Sequence, residues 1–229
     1  MNNWKNIWDN RSYNENLSTL QALIVADGFD SGFGSFTEDD WLKYINDVSS
    51  ILGIVKGKTS IYEVGCGSGA FLYPFYQHNH KVGGLDYSDV LLKMANTHMP
   101  NSDFSLAEAI TIDTNSKYDI IISNSVFHYF PTKDYAKNVI RKMLKKAKKS
   151  VVILDLNDNA KKEIAEGLRQ GSMSKEDYLK KYADLNQLYY DKEWFSKIAL
   201  QNGYKIKIWD QKIDNYLNSS YRFNIVIEK

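Results

Sequence analysis

Between residues 59 and 155, short apolar runs alternate with longer segments in which apolar residues recur every three or four positions. The short runs are rich in isoleucine, valine and tyrosine, and they are continuously apolar instead of alternating with polar residues. Continuous apolar strands are typical of parallel sheets that helices cover on both faces. The alternation therefore predicts a doubly wound α/β fold built from strand–helix–strand units.

Seven strands are expected in this fold. Those of the alternating region are 59–64, 81–86, 118–123 and 149–155, with 103–108 as a weaker fifth. Two more are expected at 204–211 and 221–228, and the linker between them is too short for a helical crossover. These two strands should therefore be antiparallel, which predicts a mainly parallel seven-stranded sheet with an antiparallel last strand.

Additional helices are expected at both ends of this core. Helical stretches at 16–26 and 37–52 predict an N-terminal lid or cap over residues 1–58, ahead of a core at 59–229. The glycine-rich segment between the two stretches would supply hinges for a lid. A lysine- and glutamate-rich stretch predicts a helical insertion at about 157–195, and the whole chain is expected to form one compact domain.

One core helix is predicted at 134–149, where apolar residues fall on one face at offsets of three and four. Six of the nine residues from 141 to 149 are basic. Such a face is usually only solvated. Otherwise it could dock an acidic carrier protein or RNA.

The overall charge limits the classes of partner. The chain has 29 basic and 28 acidic residues, a formal net charge of +1, so no bulk field attracts nucleic acid or an anionic membrane. No apolar run approaches the ~18 residues that a membrane helix needs. The single cysteine, Cys66, cannot form an internal disulfide, which fits a reducing cytosol. A soluble cytoplasmic protein is expected, with neither a membrane nor a nucleic acid as its partner; no oligomeric state is indicated.

The most specific motif is EVGCGSG at 63–69, where the first predicted strand turns into a helix. Glycines at alternate positions allow a tight turn and let a ligand approach the backbone, while the helix start offers free amide groups. Asp86 ends the next predicted strand, where a carboxylate can accept two hydrogen bonds from a ribose diol. Together these features predict a nucleoside ligand; the alternative is a plain strand–helix turn beside a solvated acid.

Two nucleoside ligands compete, because GCGSGA at 65–70 also fits the dinucleotide fingerprint. Glu63 lies two residues before the first glycine, at a strand end that faces the ligand. A carboxylate there would repel a pyrophosphate and attract the ammonium group of a methionine moiety. This favours S-adenosylmethionine, with S-adenosylhomocysteine as its product, and leaves a nicotinamide dinucleotide as a minor alternative.

At these residues the chain resembles the class I S-adenosylmethionine-dependent methyltransferases, in the branch that acts mostly on small molecules. EVGCGSG resembles their first motif and LDYS at 85–88 their second, and SLAEA at 105–109 and YDIIISNSVFHYF at 118–130 follow in the expected order. The resemblance implies a Rossmann-like fold and methyl transfer to an oxygen or nitrogen of a small-molecule acceptor. A non-catalytic accessory protein that binds S-adenosylmethionine, or an enzyme acting on RNA or protein, are the alternatives.

The resemblance also implies which residues hold the cofactor. In the family, the carboxylate at Glu63 and the glycine loop hold the methionine part, and the acid at Asp86 holds the ribose. The family often has Asp or Asn after the third strand to meet the adenine amine; here Ala107 stands there, and Glu108 is the substitute. The expected cofactor-binding residues are Glu63, Gly65, Cys66, Gly67, Gly69, Asp86, Tyr87, Ala107, Glu108, Asn124 and Ser125.

The acceptor side of the site is less well specified, because methyl transfer from a sulfonium needs alignment and exclusion of water more than a base. His128 stands where family members often place a base and is the predicted catalytic residue, with a packing role as an equal alternative. The acceptor contacts expected are Tyr13, His128, Tyr129 and Tyr189. No metal is expected: the acidic cluster at 155–159 could hold magnesium as in catechol-type methyltransferases, but resemblance to them would also require an acid after the fourth strand, where Asn124 and Ser125 stand.

Overall fold

The computed structural model describes residues 3–29, 36–182 and 184–229, and within them it contains seven strands and nine α-helices. The strands are β1 (Ile61–Val64), β2 (Val82–Asp86), β3 (Asp103–Leu106), β4 (Tyr118–Asn124), β5 (Ala147–Asn157), β6 (Lys205–Asp210) and β7 (Arg222–Glu228). The helices are α1 (Asn3–Asp9), α2 (Thr19–Ala26), α3 (Glu38–Leu52), α4 (Tyr73–Gln77), α5 (Asp89–His98), α6 (Lys133–Lys146), α7 (Lys162–Gln170), α8 (Lys175–Tyr182) and α9 (Lys192–Gln201).

All seven strands form one sheet in the order β3-β2-β1-β4-β5-β7-β6. The pairs among β1 to β5 are parallel, whereas β7 runs antiparallel to both of its neighbours, β5 and β6. The predicted fold class, a doubly wound and mainly parallel seven-stranded sheet with an antiparallel last strand, is confirmed.

Successive residues of each central strand enter different cores, because side chains alternate between the faces of a sheet. In β4, Ile120 and Ile122 pack with α2 and α3 on one face. Ile121 packs on the other face with α6 and α9. Covering both faces explains why the strand sequence is continuously apolar.

The predicted helix at 134–149 is too long at its C-terminal end. α6 ends at Lys146, since Ala147 is already extended and begins β5, so that Lys148 and Lys149 lie on a strand. Lys146 itself is only 1% exposed. Its ammonium group donates to the Asp113 carbonyl oxygen at 3.0 Å and lies 4.1 Å from the centre of the Tyr62 ring. The basic run therefore does not form one continuous solvated face.

The N-terminal segment contains one helix more than the sequence indicated. α2 and α3 correspond to the predicted stretches, and α3 begins with a capping box between Thr37 and Asp40. The additional helix is α1, which places Trp4 and Trp8 one turn apart on the same face. Most of the glycine-rich segment predicted to hinge a lid lies at 30–35, outside the described residues.

The predicted insertion at about 157–195 contains α7 and α8, and α9 begins at its end. β5 continues to Asn157, two residues beyond its predicted end, and its pairing with β7 is irregular between Ile153 and Leu156. In the part of the chain that the structure describes, no helix is both long and apolar enough to cross a membrane.

Candidate functional site

A cavity of about 620 Å³ opens where β1, β2, β3 and β4 end, since its walls include the residues that follow each of these strands. Ten of the expected cofactor-binding residues line it: Glu63, Gly65, Cys66, Gly67, Asp86, Tyr87, Ala107, Glu108, Asn124 and Ser125. The carboxyl ends of parallel strands are the usual place for a ligand in an open α/β sheet. The residues that the sequence grouped by motif are thus brought to one cavity.

The glycines of the loop after β1 have separate structural roles. Gly65 and Gly67 have positive φ angles of 75° and 51°, in the region that favours glycine. A Cβ atom at Gly67 would overlap the Asp27 carboxylate, and one at Gly65 would lie 2.5 Å from a methyl group of Val126. Gly69 does not line the cavity; a Cβ atom there would overlap Met99 next to α5. Gly69 therefore serves the packing of the loop against α5.

Asp27, at the end of α2, is a site residue that motif spacing did not indicate. Its carboxylate accepts hydrogen bonds from the Ser68 amide at 2.6 Å and the Ala70 amide at 3.3 Å, within the glycine loop. It also lines the cavity. The sequence signal is an aspartate followed by glycine after a helix, which by itself indicates only part of a hinge.

Asp86 ties the end of β2 to the same loop. One of its carboxylate oxygens accepts from the Gly67 amide at 2.9 Å, and the other accepts from the Ser88 amide at 2.8 Å. Each carboxylate oxygen has two lone pairs, so both oxygens can still accept from a ligand. The side chain is 5% exposed, in the wall of the cavity.

Three carboxyl groups, those of Asp27, Glu63 and Asp86, thus surround the glycine loop. Burial is the main cause that raises the pKa of Asp27 to about 7 and that of Asp86 to about 6. Burial, followed by the charges of the other two acids, raises the pKa of Glu63 well above its usual value. One Glu63 oxygen, Oε2, is buried without a hydrogen-bond partner among the described residues. Such a group is suited to a ligand that brings a cation or a donor.

Aromatic side chains from α1 form part of the cavity wall. The ring centres of Trp4 and Trp8 lie 4.5 Å and 5.6 Å from that of Tyr129. The Trp4 indole nitrogen donates to the Asn186 carbonyl oxygen at 3.2 Å, which joins α1 to the segment after α8. The sequence signals for this wall are Tyr129, which is expected to contact the acceptor, and two tryptophans four residues apart.

Of the four residues expected to contact the acceptor, Tyr129 lines the cavity and the other three do not. Tyr13 stacks on His98, with ring centres 4.8 Å apart. Tyr189 is buried in a small cluster with Ala165 and Tyr221, and its hydroxyl accepts from Arg169 at 3.2 Å. His128 is fully buried behind Tyr129.

The surroundings of His128 determine its protonation. Arg222 donates from Nη1 to His128 Nδ1 at 3.2 Å, so Nε2 carries the proton of the neutral ring. Nε2 has no hydrogen-bond partner among the described residues. Burial, and then the charge of Arg222, lower the pKa of His128 well below its usual value. The imidazole is therefore neutral at physiological pH.

Two aspartates of the acidic cluster at 155–159 form ion pairs with basic side chains. Asp155 forms a buried ion pair with Arg222 at 2.7 Å, and Asp158 pairs with Lys192 at 3.3 Å. Among the described residues, no group of three or more histidine, cysteine, aspartate or glutamate side chains could hold a metal.

Residues 62–169 match the family model described as a methyltransferase domain. Solved structures of similar fold include the plantazolicin methyltransferase BpumL in complex with S-adenosylhomocysteine, with 16% identity, a TM-score of 0.64, and coverage of 100% of this chain and 97% of that one. Magnesium protoporphyrin IX methyltransferase (ChlM) from Synechocystis PCC 6803, with bound S-adenosylhomocysteine, has 15% identity, a TM-score of 0.58 and coverage of 92% and 98%. A TehB-like S-adenosylmethionine-dependent methyltransferase from Corynebacterium glutamicum has 14% identity, a TM-score of 0.58 and coverage of 90% and 92%. At these identities the likeness to solved structures concerns the fold.

Proposed function

Since this chain carries a methyltransferase domain and has the fold of the class I S-adenosylmethionine-dependent methyltransferases, we propose that it transfers the methyl group of S-adenosylmethionine to an oxygen or nitrogen of a small acceptor. One observation carries the proposal. Glu63, with its unpartnered buried oxygen, and Asp86 flank the glycine loop in one cavity, with room for an amino acid and a nucleoside.

Each end of the proposed cofactor has chemically suited residues. The Glu63 and Asp27 carboxyl groups would bind the ammonium of the methionine moiety, and Asp86 would accept hydrogen bonds from the ribose hydroxyls. Ala107 and Glu108, after β3, would lie beside the adenine. ChlM and BpumL, which share the fold, were crystallised with S-adenosylhomocysteine, and this likeness supports the same class of cofactor here.

The bound sulfonium would supply an already activated methyl group, so the chain's own residues would mainly orient the acceptor and exclude water. Trp4, Trp8 and Tyr129 offer ring faces, which attract cations. Burial raises the pKa of Tyr129 to about 12, so its phenol stays neutral at physiological pH. His128 is the expected catalytic base, but its Nδ1 accepts from Arg222 and its Nε2 carries the proton, so no lone pair is free to take a proton from an acceptor. This geometry supports the alternative role of His128 in packing beside Tyr129.

The proposal is tested in two steps. Calorimetry should detect binding of S-adenosylmethionine and S-adenosylhomocysteine, and formation of S-adenosylhomocysteine should then be measured with panels of phenols, carboxylates and amines. Binding of a nicotinamide dinucleotide without binding of either methionine nucleoside would overturn the proposal. Binding of the cofactor with no turnover on any acceptor would instead identify an accessory protein, and turnover only on RNA or protein would replace the small acceptor.

The three carboxyl groups lead to a pH prediction. An ammonium group favours their ionised forms, so binding of S-adenosylhomocysteine should release protons, and its affinity should rise from about pH 5.5 to about pH 8. Calorimetry in buffers of different ionisation enthalpy measures the release. Asp27→Asn should reduce it, whereas Asp89→Asn, which alters an exposed carboxylate paired with Lys93, should not.

The stability of the free protein should show the opposite trend. The pKa of Asp27 rises from its ordinary 3.8 to about 7 on folding, so between these values the native state holds a proton that the unfolded state has lost. The free energy of unfolding should therefore fall as pH rises from about 4 to about 7, and the slope should flatten in Asp27→Asn. Urea titrations at several pH values provide this measurement; an equal slope in the variant would contradict the pKa assignment.

The N-terminal segment is proposed as a lid over the cofactor. If it is, amide hydrogen exchange in α1 and α2 should slow on addition of S-adenosylhomocysteine, because α1 would be held over the ligand by Trp4 and Trp8. Trp8→Ala should diminish this slowing in α1. Equal exchange of these helices with and without the ligand would favour static packing.

A further inference from the structure

A second, smaller compartment of about 300 Å³ adjoins the large cavity. The two share walls formed by Trp4, Trp8, Asp27, Phe29, Ser125 and Tyr129. The chain contains four arginines, and three of them line this compartment: Arg11, Arg169 and Arg222. In the part of the chain that the structure describes, the one carboxylate in its walls is Asp27, at the junction of the two spaces.

Arg169 carries the uncompensated charge of this compartment. It is partly exposed on the last turn of α7, and it donates from Nη2 to two neutral groups, Gln187 Oε1 at 2.5 Å and the Tyr189 hydroxyl at 3.2 Å. Among the described residues, no carboxylate lies within ion-pair distance of Arg169. Gln187 is in turn held by Asn157 at 3.1 Å, so the guanidinium is fixed in position.

Arg222 presents a second donor that has no partner. Its hydrogen bonds to His128, the Asp155 carbonyl and the Asp155 carboxylate all leave from Nη1. Its Nε atom is buried without a partner among the described residues. A guanidinium uses Nε together with a terminal nitrogen to bind an oxyanion with two hydrogen bonds. Asp155 holds this arginine from a backbone φ of 59°, where β5 loses its regular pairing with β7.

The two guanidinium groups are joined through neighbouring rings: Arg169 donates to Tyr189, Tyr189 packs with Tyr221, and the Arg222 guanidinium lies 5.5 Å from the centre of the Tyr221 ring. The compartment is therefore a polar space whose walls contain two fixed arginines and the aromatic side chains shared with the large cavity. We propose that it binds an oxyanion group of the methyl acceptor, a carboxylate or a phosphate, between Arg169 and Arg222. The rest of the acceptor passes Ser125 and Tyr129 into the cofactor cavity. This inference rests on the proposed function and assigns its acceptor to the class of anionic small molecules.

The test uses the whole chain labelled with ¹⁵N-arginine, whose four Nε–Hε signals are assigned by single Arg→Lys variants at Arg11, Arg141 and Arg169. S-adenosylhomocysteine is added first, followed by benzoate, phenyl phosphate or neutral benzyl alcohol. We expect benzoate or phenyl phosphate to shift the Arg169 and Arg222 signals, and benzyl alcohol to leave them unchanged. The stronger of the two anions distinguishes a carboxylate from a phosphate acceptor.

Matched variants separate a binding site from a general charge effect. Arg169→Gln should weaken binding of the effective anion by about tenfold or more, because it removes one charged donor. Arg141→Gln should not, since Arg141 is exposed on α6 and bonded to Asn138. Arg169 is chosen because it is partly exposed, whereas removing Arg222 would strand the buried Asp155 charge.

Three outcomes would overturn the inference. In the first, S-adenosylhomocysteine alone shifts the two arginine signals and the anions add nothing, which assigns the arginines to the cofactor's own carboxylate. In the second, no anion moves either signal although S-adenosylhomocysteine binds, which leaves the proposed function intact. In the third, Arg141→Gln weakens anion binding as much as Arg169→Gln. Failure of S-adenosylhomocysteine to bind the unmodified chain would count instead against the proposed function.

Discussion

We expect the Asp86→Ala variant to bind S-adenosylhomocysteine about thirty- to a hundredfold more weakly than the unmodified chain, because hydrogen bonds to a charged acceptor contribute about 1.5 to 3 kcal/mol each. The loss has two sources in the structure. Asp86 would accept from the ribose, and it also holds the amide of Gly67 and thereby the loop. Calorimetry above pH 7 measures the effect with the carboxyl group ionised, since its pKa is about 6.

The control is Asp89→Ala, which removes an exposed carboxylate three residues away and should leave the affinity nearly unchanged. The midpoint of thermal unfolding of the ligand-free Asp86→Ala variant distinguishes loss of the ribose hydrogen bonds from collapse of the loop. A variant with a normal midpoint and weak binding supports the ribose assignment. Undiminished affinity would exclude Asp86 from the cofactor site.

We expect Gly67→Ala to have the largest effect on cofactor binding. A non-glycine residue at a positive φ costs about 1 to 2 kcal/mol of stability, and here the added Cβ atom would also overlap the Asp27 carboxylate. Asp27 would have to leave the Ser68 and Ala70 amides, which would deform the loop. Affinity for S-adenosylhomocysteine should fall on the order of a hundredfold or more, as expected for two lost bonds to a charged group.

Gly203→Ala is the matched control, because Gly203 also has a positive φ, of 72°, but nothing lies within 4 Å of the position its Cβ atom would take. It should show the conformational cost in urea unfolding and normal ligand affinity. In the Gly67→Ala background, Asp27→Ala should cost little further affinity, because the methyl group has already displaced that carboxylate from the loop. Equal affinities in the Gly67→Ala and Gly203→Ala variants would mean that the crowding is unimportant.

The strands and the cofactor half of the site could be predicted because their signals are local. A strand that is buried on both faces of the sheet needs a mostly apolar sequence such as YDIIIS, and β4 lies at this segment. A left-handed backbone conformation favours glycine, so the glycines of the motif indicated such a turn. Gly65 and Gly67 have the expected positive φ angles. Parallel strands all end at one edge, so the residues after them meet without any long-range information.

Element boundaries were less well indicated, because a helix and a strand can share an amphipathic pattern where they join. The periodicity of 134–149 continues across Ala147, yet the chain becomes extended there. Lys146 falls on the polar side of that pattern, yet it is buried over Tyr62, since the neighbouring strand supplies an aromatic ring and Asp113 supplies an acceptor.

Tertiary packing decided the remainder of the site. Asp27 reaches the Ser68 amide across 41 positions of the sequence, and Arg222 reaches His128 across 94. Neither partnership leaves a spacing that can be recognised in the sequence, because each depends on how whole helices and strands pack together. The local sequence pattern was therefore sufficient to predict the glycine loop and the acid after β2. The aromatic wall from α1, the carboxylate that holds the loop and the arginine-lined compartment follow from long-range packing, which brings together residues that have no common motif.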